Sequence, residues 1–380
     1  MKKYKFSAPM PYTIEYINKI LKINKQVEKS KITSLYFGLP FSNELFTGFE
    51  QYRNYDINDY NFDYWKKLII HSMEKGADFI YLLNRSNLYY ENFDKLYIQL
   101  EKLDRLLNEF RKIGVKKLRV ADHKLLTYLN KNYTDFTLLA STSFEYKLIN
   151  EYKNFMLLHP YIKQIVPSHD CIKNFLLLQN LVKLFPDTEI ELIVNQGCLN
   201  GCPMRNNHQS FCKNDLTNDN IFANSYYLQH CNNIQNGNLA NKIININIIY
   251  PWEIAEYSKI GIINFKFTGR DTFLFDVDWL INSYLQYLKG IDNYKLISEI
   301  PVNAIIERLQ GFDALDIINM GDIKKYLPDV KHFKKYGHLC STRCQAECKY
   351  CNKCKDKLKK VIEKKQIKEI QKEISFCKIK

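Results

Sequence analysis

Nine of the chain's eleven cysteines fall in two groups, and clustered thiols are typical of metal sites. The first group begins in the segment "NQGCLNGCPMRNNHQSFC" and consists of Cys198, Cys202, Cys212 and Cys231. The second is "CSTRCQAECKYCNKC", which contains Cys340, Cys344, Cys348, Cys351 and Cys354. The chain starts "MKKYKFSAPMPY", without the apolar stretch of a signal peptide, so we expect a cytoplasmic protein with reduced thiols. Both groups therefore predict bound metal rather than disulfides.

The spacing in the first group favours an iron–sulfur cluster over zinc. Four thiolates suit either metal, but structural zinc is usually held by paired C-x-x-C knuckles. Here the gaps between cysteines are three, nine and eighteen residues, and Gly197 and Gly201 let the backbone pass close to a bulky inorganic group. We predict an iron–sulfur cluster on this group, with zinc and a metal-free loop as the alternatives.

The second group predicts a further metal site near the end of the chain. Its "CQAECKYC" resembles the cluster motif of radical SAM enzymes, but those enzymes carry the motif after their first strand, and here it comes late. A second iron–sulfur cluster, or a zinc site that fastens the tail to the rest of the protein, fits better. Completion of the first cluster by tail thiols is a third possibility.

Several charged residues near the first group could bind an anion or move protons. Arginine suits carboxylate or phosphate, whereas histidine and glutamate suit proton transfer. The candidate catalytic residues are Arg205, His208, Glu253, Arg270 and His169. A Cys–His nucleophile made of Cys202 and His208 is an alternative, although a shared metal would quench that thiol.

Eight β-rich runs, separated mostly by amphipathic helical segments, must position these residues. They are residues 34–39, 78–83, 117–122, 136–141, 164–168, 189–195, 244–250 and 262–267. Such alternation predicts a parallel sheet, and eight units predict a TIM-type β/α barrel over residues 1–290. A doubly wound open sheet is the alternative, but no Gly-rich dinucleotide fingerprint follows the first run. In the barrel, the first cysteine group follows the sixth run at the C-terminal mouth, where barrel enzymes place their sites.

After the barrel, the sequence predicts a helical connection over residues 291–337 and a Cys-rich, metal-binding tail with a basic helix over residues 338–380. The net charge is +14, and residues 351–380 hold eleven lysines against four acidic residues, which gives +7. Such a tail could bind RNA or a partner protein, or could simply be a solvated helix face. No run is long and apolar enough to span a membrane.

An ordered series of segments over roughly residues 30–290 resembles the collagenase-like peptidase family. The segments are "IYLLN", "IVPSHD", "NQGCLNGCPMR", "IYPWEIAEYSKIGI" and "NFKFTGR". The resemblance implies a β/α barrel that binds a 4Fe–4S cluster through four cysteines. Family members serve oxygen-independent hydroxylation in ubiquinone synthesis, or hydroxylation of tRNA or ribosomal RNA with prephenate implicated as oxygen source. Others are described as peptidases.

Residue by residue, the resemblance implies that Cys198 and Cys202 belong to the cluster loop and that Arg205 closes it. Lys266 and Arg270 match a Lys-x-x-Gly-Arg pattern after the last strand. Cys212 and Cys231 are assigned by proximity alone. The resulting hypothesis is an iron–sulfur enzyme that hydroxylates a small anionic, aromatic or nucleobase-containing substrate. A metal-stabilised scaffold that binds RNA or protein, and a peptidase, are the alternatives.

Overall fold

The computed structural model describes residues 3–38, 62–84, 93–202, 205, 239–269, 276–302, 318–340 and 350–377 of the 380-residue chain. The barrel strands are β1 (Tyr4–Pro9), β2 (Ser30–Phe37), β3 (Asp78–Leu83), β4 (Lys117–Val120), β5 (Thr137–Ala140), β6 (Gln164–Ile165), β7 (Glu189–Ile193) and β10 (Asn264–Lys266). These eight parallel strands form a closed barrel in the order β1-β10-β7-β6-β5-β4-β3-β2. The predicted TIM-type barrel is confirmed, and its C-terminal mouth is defined.

Helices lie between the strands and continue beyond the barrel. They are α1 (Ile14–Lys22), α2 (Phe62–Glu74), α3 (Phe93–Ile113), α4 (His123–Asn132), α5 (Ile149–Leu158), α6 (Phe175–Leu184), α7 (Leu239–Asn245), α8 (Ile254–Ser258), α9 (Val277–Asp292), α10 (Met320–Ile323), α11 (Val330–Cys340) and α12 (Tyr350–Cys377). Side-chain caps start several of them; Asp122, for example, accepts the Leu125 amide at 2.9 Å. Gly76 and Gly114, with φ of 82° and 83°, follow the ends of α2 and α3.

One of the eight predicted barrel strands was wrong and one barrel strand was missed, so the number of barrel strands was right. The apolar run 244–250 contributes only β9 (Ile246–Ile248), which pairs antiparallel with β8 (Asn195–Leu199) in a separate two-stranded sheet. The barrel strand that the sequence analysis missed is β1, which pairs with both β10 and β2. Its signal was weak because the barrel interior is polar here. Phe6 packs outward against Tyr287 of α9, whereas Ser7 donates inward to Glu191 at 2.8 Å.

A buried ion pair crosses the barrel interior. Arg119 of β4 lies 2.7 Å from Glu191 of β7, and their side chains are 1% and 4% exposed. Gln164 of β6 accepts a second hydrogen bond from Arg119. Apolar contacts of Tyr36, Ile80, Leu82 and Leu139 form a small cluster separate from the main core between strands and helices. The barrel interior thus contains both apolar and charged side chains, and each buried charge is stabilised by its partner of opposite charge.

The C-terminal region is helical, as the sequence predicted, and its helices pack onto the rest of the protein. In α9, Tyr284 stacks on Phe267 at 4.3 Å between ring centroids and donates to the Thr268 carbonyl at 2.8 Å. Leu358 and Ile362 are buried on one face of α12, which packs against α7. Among the described segments, none is a helix with the length and apolarity needed to cross a membrane.

Candidate metal centre

The first cysteine group begins just after the C-terminal end of barrel strand β7. After β7, the chain continues into β8, which contains Cys198, and then turns through Gly201, whose φ is 64°, to Cys202. Cys198 therefore lies on a short strand beyond the seventh barrel strand, rather than on a turn after a sixth one. A hydrogen bond joins the thiols of Cys198 and Cys202. These two predicted ligands consequently approach each other, as ligands of one metal group must.

Arg205 is buried against the cysteine loop. Its Nε donates to the Cys198 sulfur at 3.4 Å, and another guanidinium nitrogen donates to the Leu199 carbonyl. The hydrogen bond with Cys202 and burial both raise the pKa of the Cys198 thiol, while the charge of Arg205 acts in the opposite direction. In the absence of a metal, the thiol form of Cys198 is thus favoured at neutral pH. A metal that replaces the proton would leave Arg205 next to an anionic sulfur.

Two carboxylates compensate the charge of Arg205. Its Nη1 lies 2.8 Å from Asp170 Oδ1 and 3.8 Å from Glu145 Oε2. Glu145 also accepts the Ser168 hydroxyl at 2.6 Å, and it has a left-handed backbone, with φ of 53°. Neither carboxylate was singled out from the sequence. Asp170 stands directly after the candidate His169 in "IVPSHD", and this position at a strand end was the one available signal.

His169 lies within the electrostatic reach of this network and is almost fully buried. Burial lowers the pKa of its imidazole to about 4, and the charges of Glu145, Arg205, Asp170 and Lys266 influence it in both directions. The ring is therefore neutral at pH 7, so one of its nitrogens donates a hydrogen bond and the other accepts one. His169 is thus influenced both by Arg205 of the cysteine loop and by Lys266 of the last barrel strand.

Lys266 at the end of β10 is also buried. Its Nζ lies 3.9 Å from the centroid of the Tyr36 ring, and the Tyr36 hydroxyl donates to the Phe267 carbonyl at 2.6 Å. A cation placed over an aromatic face inside a barrel mouth is partly desolvated, which strengthens its attraction for an anion. Lys266, His169 and Arg205 thus form the part of the predicted site that the structure brings together.

Glu253 occupies a different environment. Its Oε2 accepts the Tyr250 amide at 2.8 Å, and the charges near it come from Lys173 and Asp329. Burial raises the pKa of this carboxyl group to about 7, against the opposing effect of the Tyr250 hydrogen bond. The contacts of Glu253 are those of a buried cap on the 3-10 turn Pro251–Glu253. Its predicted catalytic role gains no support from these contacts.

The raised pKa of Glu253 gives a prediction for Glu253→Gln. The folded protein binds this proton more tightly than the unfolded chain. The stability that the protonated carboxyl group contributes is therefore fully present below pH 4.5 and is lost as the pH rises to about 7. Glutamine retains an acceptor for Tyr250 without the titration. We expect Glu253→Gln to raise the free energy of unfolding at pH 8 by up to about 3 kcal/mol and to change it little at pH 4.5.

Urea unfolding at the two pH values measures this effect. The control is Glu256→Gln, because Lys259 and Lys334 lower the pKa of Glu256 and its loss cannot stabilise the protein in the same way. A Glu253→Gln variant that is less stable than the wild type at pH 8 would contradict the prediction.

Other predicted site residues lie outside the described residues. They are Cys212, Cys231, His208, Arg270, Cys344 and Cys348. Cys340 ends α11, but its side chain is outside the described part. Within the described residues, no three His, Cys, Asp or Glu side chains form a metal-type group. Those residues include only two of the four ligands predicted for the first cluster.

Two cysteines of the tail lie in the first turns of α12. Cys351 and Cys354 are half-buried and pack against the main core on the same side of the helix as Leu358. The preceding Tyr350 stacks on His332 with ring centroids 3.9 Å apart, and its hydroxyl accepts the Asp329 amide at 3.0 Å. The two thiols therefore face the protein at a helix end that is fixed by contacts with the start of α11.

The fold and these contacts define the protein as a TIM-type barrel with a cysteine loop at its C-terminal mouth. No family model and no curated protein sequence matches the chain. Among solved structures, the U32 peptidase Mk0906 is similar with a TM-score of 0.41 and 11% identity, covering 71% of this chain and 93% of that chain. CpGH84B is similar with a TM-score of 0.37 and 10% identity, covering 96% and 74%. Likenesses this distant carry no argument about activity.

Proposed function

We propose that the protein is an iron–sulfur enzyme of the collagenase-like peptidase family that hydroxylates a small anionic, aromatic or nucleobase-containing substrate, with the oxygen atom taken from an organic donor of the prephenate class rather than from O₂. Cys198, Cys202, Cys212 and Cys231 would hold a 4Fe–4S cluster. The observation that carries the proposal is the pair of hydrogen-bonded thiols of Cys198 and Cys202 beside the buried Arg205. Thiolates are the usual ligands of such clusters, and an adjacent guanidinium stabilises their charge.

The chain's own residues supply binding and proton handling around that loop. When bound, the cluster would supply electron transfer. Lys266 presents a buried ammonium to a carboxylate or phosphate of the substrate. His169 is neutral at pH 7 and can hold a proton at either ring nitrogen. Arg270 and His208 would complete the anion and proton sites.

A second centre in the tail is part of the proposal. Cys351 and Cys354 are separated by one helical turn, so their thiols can bind one metal. Further ligands would come from Cys340, Cys344 and Cys348. We propose either a second iron–sulfur cluster or a zinc site that fastens α12 to the barrel.

Metal counting tests both centres. The full chain is purified and reconstituted anaerobically, and iron, sulfide and zinc are counted. We expect about four iron atoms and four sulfides for the first cluster, together with additional iron or zinc from the tail. A truncation lacking residues 338–380 should lose only the additional metal. A colourless full-length protein that binds zinc and no iron would refute the proposed enzyme.

One observation favours a second candidate function, binding of RNA through α12. The face opposite Leu358 and Ile362 exposes several lysines: Lys353, Lys357, Lys359, Lys360 and Lys364. Lysines that neutralise phosphates make binding strongly salt-dependent. Salt-dependent RNA binding that survives Cys198→Ala and Cys202→Ala would favour a metal-stabilised scaffold over an enzyme.

Peptidase activity is the remaining alternative. A nucleophilic cysteine needs a lowered pKa, whereas hydrogen bonding and burial raise the pKa of the Cys198 thiol. The raised pKa disfavours nucleophilic chemistry at Cys198 in metal-free protein, whereas a bound metal would displace the proton of the thiol. Peptide cleavage by metal-free protein, lost on thiol alkylation, would support the peptidase instead.

A further inference from the structure

Asp170 lies at the point where the cysteine loop meets the barrel. It follows β6, and β6 pairs with β7, which leads directly into the cysteine-bearing strand β8. Its side chain is only 1% exposed. A carboxylate buried to this extent is costly unless donors surround it.

Four donors from separate parts of the chain meet this carboxylate. Oδ1 accepts the Gly201 amide at 2.8 Å, lies 2.8 Å from Arg205 Nη1 and accepts the Asn247 amide group at 3.3 Å. Oδ2 lies 2.7 Å from Lys147 Nζ. Asp170 thus connects the turn between Cys198 and Cys202, the arginine that contacts Cys198, and strand β9.

Electrostatics agrees with this geometry. Burial would raise the pKa of Asp170, but the charge of Arg205 and the hydrogen bonds from Lys147, Gly201 and Arg205 outweigh it and hold the pKa at about 2. The side chain is therefore an anion at neutral pH. With Glu145 it balances the two cations Arg205 and Lys147, so its loss would leave an uncompensated positive charge beside Cys198.

We propose that Asp170 is a positioning residue for the metal ligands: its carboxylate holds Gly201 and Arg205, and thereby fixes the orientation of Cys198 and Cys202. The part that concerns metal rests on the proposed function, whereas the control of the loop does not. Residues that hold metal ligands in place typically contribute roughly 10–100-fold to metal affinity.

A carboxylate is needed because all the groups around Asp170 are donors. An aspartate has acceptor sites on both oxygens, whereas an asparagine turns one of them into an NH₂ donor. In Asp170→Asn, the amide oxygen can still accept from Gly201 and Arg205, but the NH₂ group then faces the Lys147 ammonium. The variant keeps the size of the side chain and removes its charge.

The experiment compares Asp170→Asn with the wild type in two states. In metal-free protein, the rate of alkylation of Cys198 and Cys202 by iodoacetamide is followed by peptide mass spectrometry. Replacing the carboxylate by a neutral amide weakens the charge-assisted hydrogen bonds to Gly201 and Arg205, which predicts alkylation roughly tenfold faster. In reconstituted protein, iron release to a chelator should be roughly 10–100-fold faster, and the reduction potential should rise because a negative charge has been removed near the cluster.

The control is Asp135→Asn, which breaks an ion pair with Arg111 on the outer surface. It should leave alkylation, iron release and potential unchanged. Circular dichroism establishes that each variant is folded. If Asp170→Asn does not fold, Lys147→Met removes one cationic partner of Asp170. It should speed alkylation and iron release by a smaller factor and should lower the reduction potential, because a positive charge has been removed.

The outcomes separate the two claims. Wild-type protein that binds no iron would refute the proposed enzyme, while the alkylation rates would still decide the role of Asp170. Alkylation rates of a folded Asp170→Asn equal to those of the wild type would overturn the positioning role. An unchanged potential with faster alkylation would overturn its electrostatic effect on the metal.

Discussion

Cys198→Ala and Cys202→Ala are each expected to lose nearly all of the iron that the barrel binds on anaerobic reconstitution, about four atoms per chain. The two thiols approach each other closely enough to share a hydrogen bond, so removal of either opens one corner of a four-ligand site. Iron and sulfide counting, together with the visible absorption spectrum, measures the loss. Any tail metal should remain.

The matched control for these variants is Cys171→Ala. Cys171 is fully buried, and burial raises the pKa of its thiol to about 12. Its sulfur contacts the Tyr146 carbonyl at 3.6 Å rather than the cysteine loop. This variant should bind iron as the wild type does. Full iron content in Cys198→Ala and Cys202→Ala would show that other ligands hold the metal.

Arg119→Met is expected to lower the free energy of unfolding by about 3–5 kcal/mol. The substitution removes the cation from a pair with both side chains buried and leaves Glu191 charged inside the barrel, with Ser7 as a remaining donor. Urea unfolding at pH 7 measures the change.

The double variant Arg119→Met/Glu191→Leu provides the second half of the test. Replacing a whole buried pair by apolar side chains is often nearly neutral, so most of the lost stability should return. The coupling energy between the two sites then separates the cost of an unpaired charge from that of altered packing. A double variant that is no more stable than Arg119→Met would show that the barrel needs the ion pair itself.

Local sequence signals predicted much of the fold. The alternation of β-rich runs with amphipathic helical segments indicated the barrel. The assignment of β9 to the barrel failed because a short, fully buried apolar run looks the same in any sheet. Only the pairing partner, β8, identifies its sheet.

The site was predictable where residues are close in sequence. The proximity of Cys198 to Cys202, and of both to Arg205, follows from one short loop. The partnership of Arg205 with Glu145 and Asp170 depends on the barrel, which places the ends of β5, β6 and β7 side by side. Spacing along a single chain carries no signal for contacts of this kind.

The small sheet of β8 and β9 has a consequence for how this site can change. Leu199 pairs with Ile246, and the Asn200 amide donates to the Asn245 carbonyl at 2.7 Å. The two ends of the intervening segment are therefore held next to each other. Each doubling of the length between such fixed ends costs only about 0.6 kcal/mol in closure entropy. Changes of length between Arg205 and Leu239 that keep the proposed ligands Cys212 and Cys231 would therefore have little effect on the barrel, and would fit one scaffold to different substrates.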